Sequence, residues 1–129
     1  MDAAQALAEL AELSSQVERA VVLDAQGEVL GSTEADRPDA GQSLAQVARD
    51  LVEAAGAFHA SAGEVVRAEV ELEEGGLFVL SEGGRTIAAT TGPGPTAGLV
   101  AYDLRTCLHA IETKPKRRRA SRKQKEETE

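Results

Sequence analysis

The chain has 129 residues, of which 42% are hydrophobic but only 2% aromatic, and its formal net charge is −8. This length favours a single domain. Because aromatic residues are scarce, the core must consist of Ala, Val, Leu and Ile, and the modest stability of such a small core favours dimerisation. The single cysteine, Cys107, excludes a disulfide framework and a cysteine-based metal cluster. Because the chain has no apolar run of membrane-spanning length and no basic–apolar leader at Met1, we expect a cytoplasmic protein. Its bias toward Ala, Glu and Arg is typical of GC-rich bacterial genomes.

The charge is divided between two parts of the chain. Residues 114–129 form a basic tail with a balance of +5, which leaves −13 on residues 1–113. The basic residues of the tail are Lys114, Lys116, Arg117, Arg118, Arg119, Arg122, Lys123 and Lys125. Beyond Pro115 the tail has no apolar residue larger than alanine, so we expect a folded domain over residues 1–113 and a disordered tail over 114–129.

The first third of the chain predicts a helix followed by a β-hairpin. An amphipathic stripe at helical spacing is made by Ala3, Ala6, Leu7, Leu10, Leu13 and Val17. Residues 19–24 form a short valine-rich run, which predicts a strand buried on both faces. Asp24 and Gly27 supply turn chemistry, and residues 28–33 return as the second strand.

A loop containing Pro38 precedes a second predicted helix. The apolar stripe of this helix is Leu44, Val47, Ala48, Leu51, Val52, Ala55 and Phe58. Residues 61–63 end it.

Three strands and a last helix are predicted after residue 63. Residues 64–73 alternate strictly, with Val66, Ala68, Val70 and Leu72 on one face and Arg67, Glu69, Glu71 and Glu73 on the other. Residues 77–80 are apolar on both faces, and residues 86–91 follow a glycine turn. The last helix runs from about Thr96 to Glu112, with the stripe Val100, Leu104, Cys107, Leu108 and Ile111. The predicted class is therefore α+β, in the order α-β-β-α-β-β-β-α, with helices on both faces of a five-stranded, mainly antiparallel sheet.

This order and two local strings resemble the Roadblock/dynein light-chain family, in particular its bacterial, MglB-like branch of gliding-motility and GTPase-operon proteins. Residues 21–30, VVLDAQGEVL, are similar to the family's hydrophobic strand, Asp-x-x-Gly turn and second hydrophobic strand. Residues 95–105, PTAGLVAYDLR, resemble the short loop and Gly-Leu-Val opening of its last helix. The resemblance covers about residues 3–112 and implies a sandwich fold of the Roadblock type.

The resemblance further implies a homodimer in which the third strands pair across a two-fold axis and the second helices pack side by side. It implies a platform for small Ras-like GTPases, or a subunit of a larger complex, that adds no catalytic group of its own. The expected dimer and partner interface is Leu44, Val47, Ala48, Leu51, Val52, Ala55, Val66, Arg67, Ala68, Glu69 and Val70. If the third strands pair about Ala68, each Arg67 faces a Glu69 of the partner protomer.

No residue pattern in the chain predicts catalysis, a metal or a cofactor. His59 and His109 lie at or near helix ends, where we expect surface positions, and Cys107 has the spacing of a core residue. The glycine pairs at 75–76 and 83–84 and the Gly-Pro-Gly-Pro string at 92–95 lack the Gly-Lys-Ser/Thr ending of a phosphate-binding loop, so we interpret them as turns. We therefore expect a non-enzymatic protein.

The basic tail leaves several interpretations open. It can act as a solubilising segment, contact nucleic acid or anionic lipid without sequence specificity, or dock on an acidic partner or on the acidic body itself. Ser121 follows Arg118-Arg119-Ala120 and resembles a basophilic kinase site. Two hypotheses result: a homodimer that regulates or scaffolds a small GTPase, and a nucleic-acid-associated dimer that binds through its tail.

Overall fold

The computed structural model describes residues 1–34, 36–57 and 67–111. The elements are α1 (Ala3–Leu13), β1 (Val17–Leu23), β2 (Val29–Ser32), α2 (Pro38–Gly56), β3 (Arg67–Leu72), β4 (Gly75–Glu82), β5 (Arg85–Thr91) and α3 (Ala97–Ala110). This is the order predicted from the sequence. The prediction of a loop around Pro38 was wrong, because α2 begins at Pro38, and proline is well tolerated in the first turn of a helix. Phe58, His59 and Val66 lie outside the described residues.

Helix α1 is shorter than its apolar stripe suggested. Asp2 and Gln5 form a capping box at its start, in which the Asp2 carboxylate accepts from the Gln5 N–H at 2.8 Å. At the other end Ser14 caps the helix, and its hydroxyl accepts from the N–H of Val17 at 3.3 Å. Placing Leu13 and Val17 on the buried stripe was therefore wrong: Val17 begins β1, and Leu13 is 73% exposed.

The five strands form one sheet in the order β2-β1-β5-β4-β3, and every neighbouring pair is antiparallel. The hairpin β1–β2 and the meander β3–β4–β5 were both predicted. The pairing of β1 with β5, where Val22 lies opposite Ile87, joins the two halves of the chain. β2 and β3 are consequently the two edges of the sheet.

The sheet is covered on both faces, as predicted. On one face α1 and α3 pack against side chains that include Val22, Leu80 and Ile87. On the other face α2 packs against Val21 and Val79. Alternate residues of β1 and β4 therefore enter opposite cores, which is the reason that their sequences are apolar on both faces.

Turn residues and one arginine hold the β1–β2 hairpin against α2. The Asp24 carboxylate accepts from the N–H groups of Gln26 and Glu28, and Gly27 has a φ of 83°. Arg49 of α2 donates from Nη1 to the Gly27 carbonyl oxygen at 2.5 Å. The turn is thus attached to the helix that covers the same face of the sheet.

None of the helices in the described ranges is both long and apolar enough to cross a membrane.

The close contact between β4 and β5 at Gly75 gives a stability prediction. A Cβ at this position would lie 2.2 Å from the Thr91 carbonyl oxygen, so Gly75→Ala requires a backbone shift. We expect a loss of about 1–3 kcal/mol in the free energy of unfolding, measured by urea titration.

The matched control is Gly56→Ala, because a Cβ there meets no atom of the described residues within 4 Å. Since Gly56 is helical, this change should leave stability unchanged or raise it by up to about 1 kcal/mol. Equal effects of the two substitutions would contradict the contact at Gly75.

Candidate functional site

The edge strand β3 has one charged and one apolar face, and the pairing with β4 shows which way each face points. Ala68 lies opposite Val79 and therefore shares the side of the sheet that α2 covers. Arg67 lies opposite Leu80 and shares the side of α1 and α3. The alternation predicted from the sequence is thus present over the described part of the strand.

The charged face of β3 contains an ion pair within the chain. Arg67 Nε lies 3.0 Å from Glu69 Oε2, and their side chains are 51% and 34% exposed. Two residues that alternate along one strand face are neighbours on it, so the pair fits the backbone without distortion. Because the pair is exposed, it contributes little to the stability of the protomer.

One flank of α2 is apolar but not fully covered by its own sheet. Arg49 reaches the β1–β2 turn, and helical periodicity places Leu44, Val47 and Leu51 on the opposite flank of the helix. Leu44 and Leu51 pack against the core that contains Val79 of β4. Val47 is 48% exposed, while Leu44, Leu51 and Ala55 are half-buried.

One residue of the expected interface on α2 lies entirely inside the protomer. Ala48 is 0% exposed and packs in the core between α2 and the sheet, so its side chain is not available to a partner. Val52, like Leu44 and Leu51, is half-buried against the same core, but it lies beside the β1–β2 turn. The sequence placed Ala48 and Val52 on the apolar stripe of α2 correctly. It could not show which residues of that stripe the sheet covers and which remain exposed.

The apolar face of β3 lies on the same side of the sheet as α2, and Ala68 packs against the same core as Leu44 and Leu51. Val70 and Leu77 are half-buried and Leu72 is 63% exposed. We call the combined area the β3–α2 surface; its members are Leu44, Val47, Leu51, Ala55, Ala68, Val70, Leu72 and Leu77. Leu72 and Leu77 were not among the expected interface residues, although the alternation of β3 already placed Leu72 on the face of Val70.

Cys107 is buried, with 5% exposure, as its helical spacing predicted. Burial, and after it the charge of Glu9, raises the pKa of its thiol to about 11. The thiol therefore stays protonated at neutral pH, where a protonated thiol is a poor nucleophile.

His109 lies on the surface, as expected, and takes part in a charged cluster at the end of β4. Its Nε2 lies 2.6 Å from Glu82 Oε2, and Arg105 Nε lies 3.3 Å from Glu82 Oε1. The hydrogen bond with His109, together with the charges of His109 and Arg105, holds the pKa of the Glu82 carboxyl below its ordinary value. The cluster attaches the C-terminal half of α3 to the β4–β5 turn.

Among the described residues, no group of three His, Cys, Asp or Glu side chains is arranged to hold a metal ion. The glycine pair at 83–84 forms the β4–β5 turn, as interpreted from the sequence, with φ angles of 63° and 82°. The basic tail, including Ser121, lies outside the described residues, and so does the proposed boundary between residues 113 and 114.

The Glu82 cluster gives a pH-dependent prediction. Because the pKa of Glu82 is lowered in the folded state, its carboxylate stabilises the fold above the ordinary pKa of a glutamate, about 4.3. That contribution is lost as the pH falls through the lowered pKa. We therefore expect Glu82→Gln to lower Tm at pH 6 and to have a progressively smaller effect as the pH falls below the ordinary glutamate pKa of about 4.3, measured by thermal unfolding over that range.

The control is Glu28→Gln, which neutralises an exposed carboxylate on the β1–β2 turn. It should change Tm little at either pH. A deficit of Glu82→Gln that grows toward acidic pH would have the wrong sign for this ion-pair cluster.

Several solved structures have a similar fold. No protein-family model and no curated protein matches the sequence. A Roadblock/LC7 domain of Streptomyces avermitilis has a TM-score of 0.72 at 24% identity, over 85% of this chain and 94% of that one. A second structure from that organism, also described as a Roadblock/LC7 domain, has a TM-score of 0.67 at 25% identity, over 83% and 95%.

The gliding protein MglB of Thermus thermophilus has a TM-score of 0.68 at 19% identity, over 84% of each chain. The resemblance drawn from the β1–β2 hairpin and the opening of α3 is therefore confirmed. The chain has the Roadblock/LC7 fold.

Proposed function

We propose that this Roadblock/LC7-fold protein is a cytoplasmic, non-enzymatic homodimer that binds a small Ras-like GTPase and regulates or scaffolds it. The observation that carries the proposal is the β3–α2 surface, an exposed apolar area continuous with an edge strand. This surface joins the open flank of α2 to one edge of the sheet.

An edge strand presents unpaired backbone donors and acceptors, and a second copy can satisfy them. β3 is such an edge in the described part of the chain. Antiparallel pairing of two β3 strands about a two-fold axis perpendicular to the sheet makes one continuous sheet from two protomers. Both α2 helices then lie on the same face of this sheet.

Such pairing also covers the apolar side chains that the protomer leaves open. Leu72 at 63% exposure and Val47 at 48% are large apolar residues on the same side of the sheet. Burial of apolar area contributes about 25 cal/mol per Å², so bringing the two surfaces together favours association. The 42% hydrophobic, alanine-rich composition gives the protomer a small core, which makes this additional burial more important.

The charged face of β3 suggests the register. If Ala68 lies at the two-fold axis, Arg67 of one protomer faces Glu69 of its partner, and the reverse contact repeats the interaction. The 3.0 Å contact within the chain supports this register because it places both side chains on one face within ion-pairing reach. Pairing of the strands would bring each Arg67 within reach of the partner's Glu69 in addition to the Glu69 of its own chain.

The GTPase partner is supported by the similarity to the MglB gliding protein and by the implied role of the family. The non-enzymatic part is supported by the placement of the candidate nucleophile and acid–base groups. Cys107 is buried with a raised pKa, and His109 is occupied by Glu82 at 2.6 Å.

The register makes a prediction about dimer affinity. Arg67→Glu should weaken the dimer because two ion pairs, each worth about 0.2–1 kcal/mol, become repulsive contacts. Loss of the two attractions alone raises the dimer Kd by a factor of roughly 2 to 30, measured by sedimentation equilibrium.

Two further variants make this result specific. The double variant Arg67→Glu with Glu69→Arg restores the opposite charges and should recover most of the affinity. Arg19→Glu, which breaks the ion pair with Glu34 near the other edge of the sheet, should leave the dimer Kd unchanged. An unchanged Kd for Arg67→Glu would exclude this register.

The β3–α2 surface also makes a prediction about the GTPase. Leu72→Asp places a carboxylate on the exposed apolar face and should abolish the dimer while the protomer remains folded, because Leu72 is 63% exposed. Affinity capture with the full-length chain in the presence of GTP or GDP should enrich a Ras-like GTPase, and the Leu72→Asp chain should lose it. The GTP turnover of the purified GTPase with and without each chain then separates regulation from scaffolding.

Leu30→Asp is the matched control, since Leu30 is a 45% exposed leucine on the other edge strand. This variant should retain both the dimer and the GTPase. Failure of the natural chain to enrich any Ras-like GTPase would exclude the proposed partner, whereas the dimer measurement tests self-association separately.

A further inference from the structure

A groove runs between α1 and α3 on the face of the sheet opposite the β3–α2 surface. The Thr96 N–H donates to Gln16 Oε1 at 2.6 Å, which places the start of α3 beside the end of α1, so the two helices are antiparallel. The groove encloses a cavity of about 240 Å³. Its apolar lining includes Leu10, Leu13, Tyr102 and Cys107, and its acidic lining is Glu9 and Asp103.

The groove is an exposed apolar surface that the proposed dimer does not cover. Leu13 is 73% exposed and Tyr102 is 66% exposed. Large apolar side chains grouped in this way mark a contact surface, whereas single exposed apolar residues do not. Because α1 and α3 lie across the sheet from α2, pairing through β3 leaves the groove open.

The charges around the groove favour a basic occupant. Glu9 and Asp103 are its charged lining residues, and no basic side chain from the described part of the chain lines it. A second copy docked through the same groove would bring like charges together, which is unfavourable. A cationic segment gains electrostatic attraction on the same surface.

The chain itself carries such a segment in the sequence that follows α3. Helix α3 ends at Ala110, and residues 114–129 have a balance of +5. Tyr102 lies about 12 Å back along α3 from the end of the helix, at 1.5 Å per residue. Residues 112–129 can span roughly 60 Å when extended, so the whole groove is within reach.

We propose that the basic tail docks along the α1–α3 groove of its own chain. The alkyl stems of Lys and Arg side chains cover Leu13 and Tyr102, and their charged ends lie near Glu9 and Asp103. A guanidinium over the Tyr102 ring adds a cation–π contact. Tethering keeps the local tail concentration in the millimolar range, so a weak contact suffices.

If the tail occupies the groove, the groove and an external polyanion compete for the same basic tail residues. The charges that meet Glu9 and Asp103 are the ones that a polyanion would bind, so occupancy of the groove and binding of a polyanion oppose each other. The inference is independent of the GTPase proposal, because neither Glu9 nor Tyr102 belongs to the β3–α2 surface.

Paramagnetic relaxation in the full-length chain tests the contact. Ser121→Cys carries a nitroxide in the middle of the tail, and Cys107 resists labelling because its thiol is buried with a pKa of about 11. At low salt the amide signals of Glu9, Leu13 and Tyr102 should be lost, while those of α2 remain. In 1 M salt, where the Debye length is about 3 Å, the signals should return.

Paired charge reversals in the same labelled chain provide the control. Glu9→Lys with Asp103→Lys should abolish the signal loss, and Glu28→Lys with Glu53→Lys, an equal charge change on the other side of the molecule, should preserve it. Absence of signal loss at low salt, uniform loss, or loss centred on Glu69 and Glu71 of β3 would overturn the proposal. Signal loss in a mixture of nitroxide-bearing and isotope-labelled chains would place the tail on another copy and would also overturn it.

Discussion

The pairing of β1 with β5 in the middle of the sheet is the constraint on which the rest of the structure depends. It aligns Val22 with Ile87 and Val21 with Ala88, from two supersecondary units that are distant in the sequence. Every one of these side chains is buried, two on each face of the sheet. A ladder that is buried on both faces excludes water from its hydrogen bonds and fixes the position of every helix above it.

Small side chains at this centre determine how the helices sit. Ala45 and Ala48 of α2 and Ala88 of β5 are all fully buried in one core. Alanine allows close approach of helix and strand but buries little area per residue. While alanines fill this core, larger apolar residues lie outside it, at Val47 and Leu72 on one face and at Leu13 and Tyr102 on the other.

The molecule therefore presents two apolar surfaces on opposite sides of one sheet, and they differ in charge. The β3–α2 surface is bordered by a strand with an Arg67–Glu69 pair, which is self-complementary across a two-fold axis. Among the described residues, the charged lining of the α1–α3 groove consists of carboxylates alone, which suits a cationic segment. This difference permits an assembly through one face while the other remains open to a tail or a partner.

Local patterns in the sequence determined the element types, their order and the charged and apolar faces of β3. Apolar residues recur every two residues in a strand and about every 3.6 residues in a helix, so these features depend only on neighbours a few residues away in the sequence. The same patterns could not show where the stripe of α1 ends, because the helix stops at Ser14, whose N–H donates to the Leu10 carbonyl oxygen and whose hydroxyl accepts from the N–H of Val17. Local hydrogen bonds of this kind compete with apolar periodicity. Nor could they show that Ala48 is used inside the protomer while its neighbour Val47 is half-exposed. That distinction, like the α1–α3 groove and the Glu82 cluster, depends on contacts between segments far apart in the chain, and such contacts exist only after the sheet has brought them together.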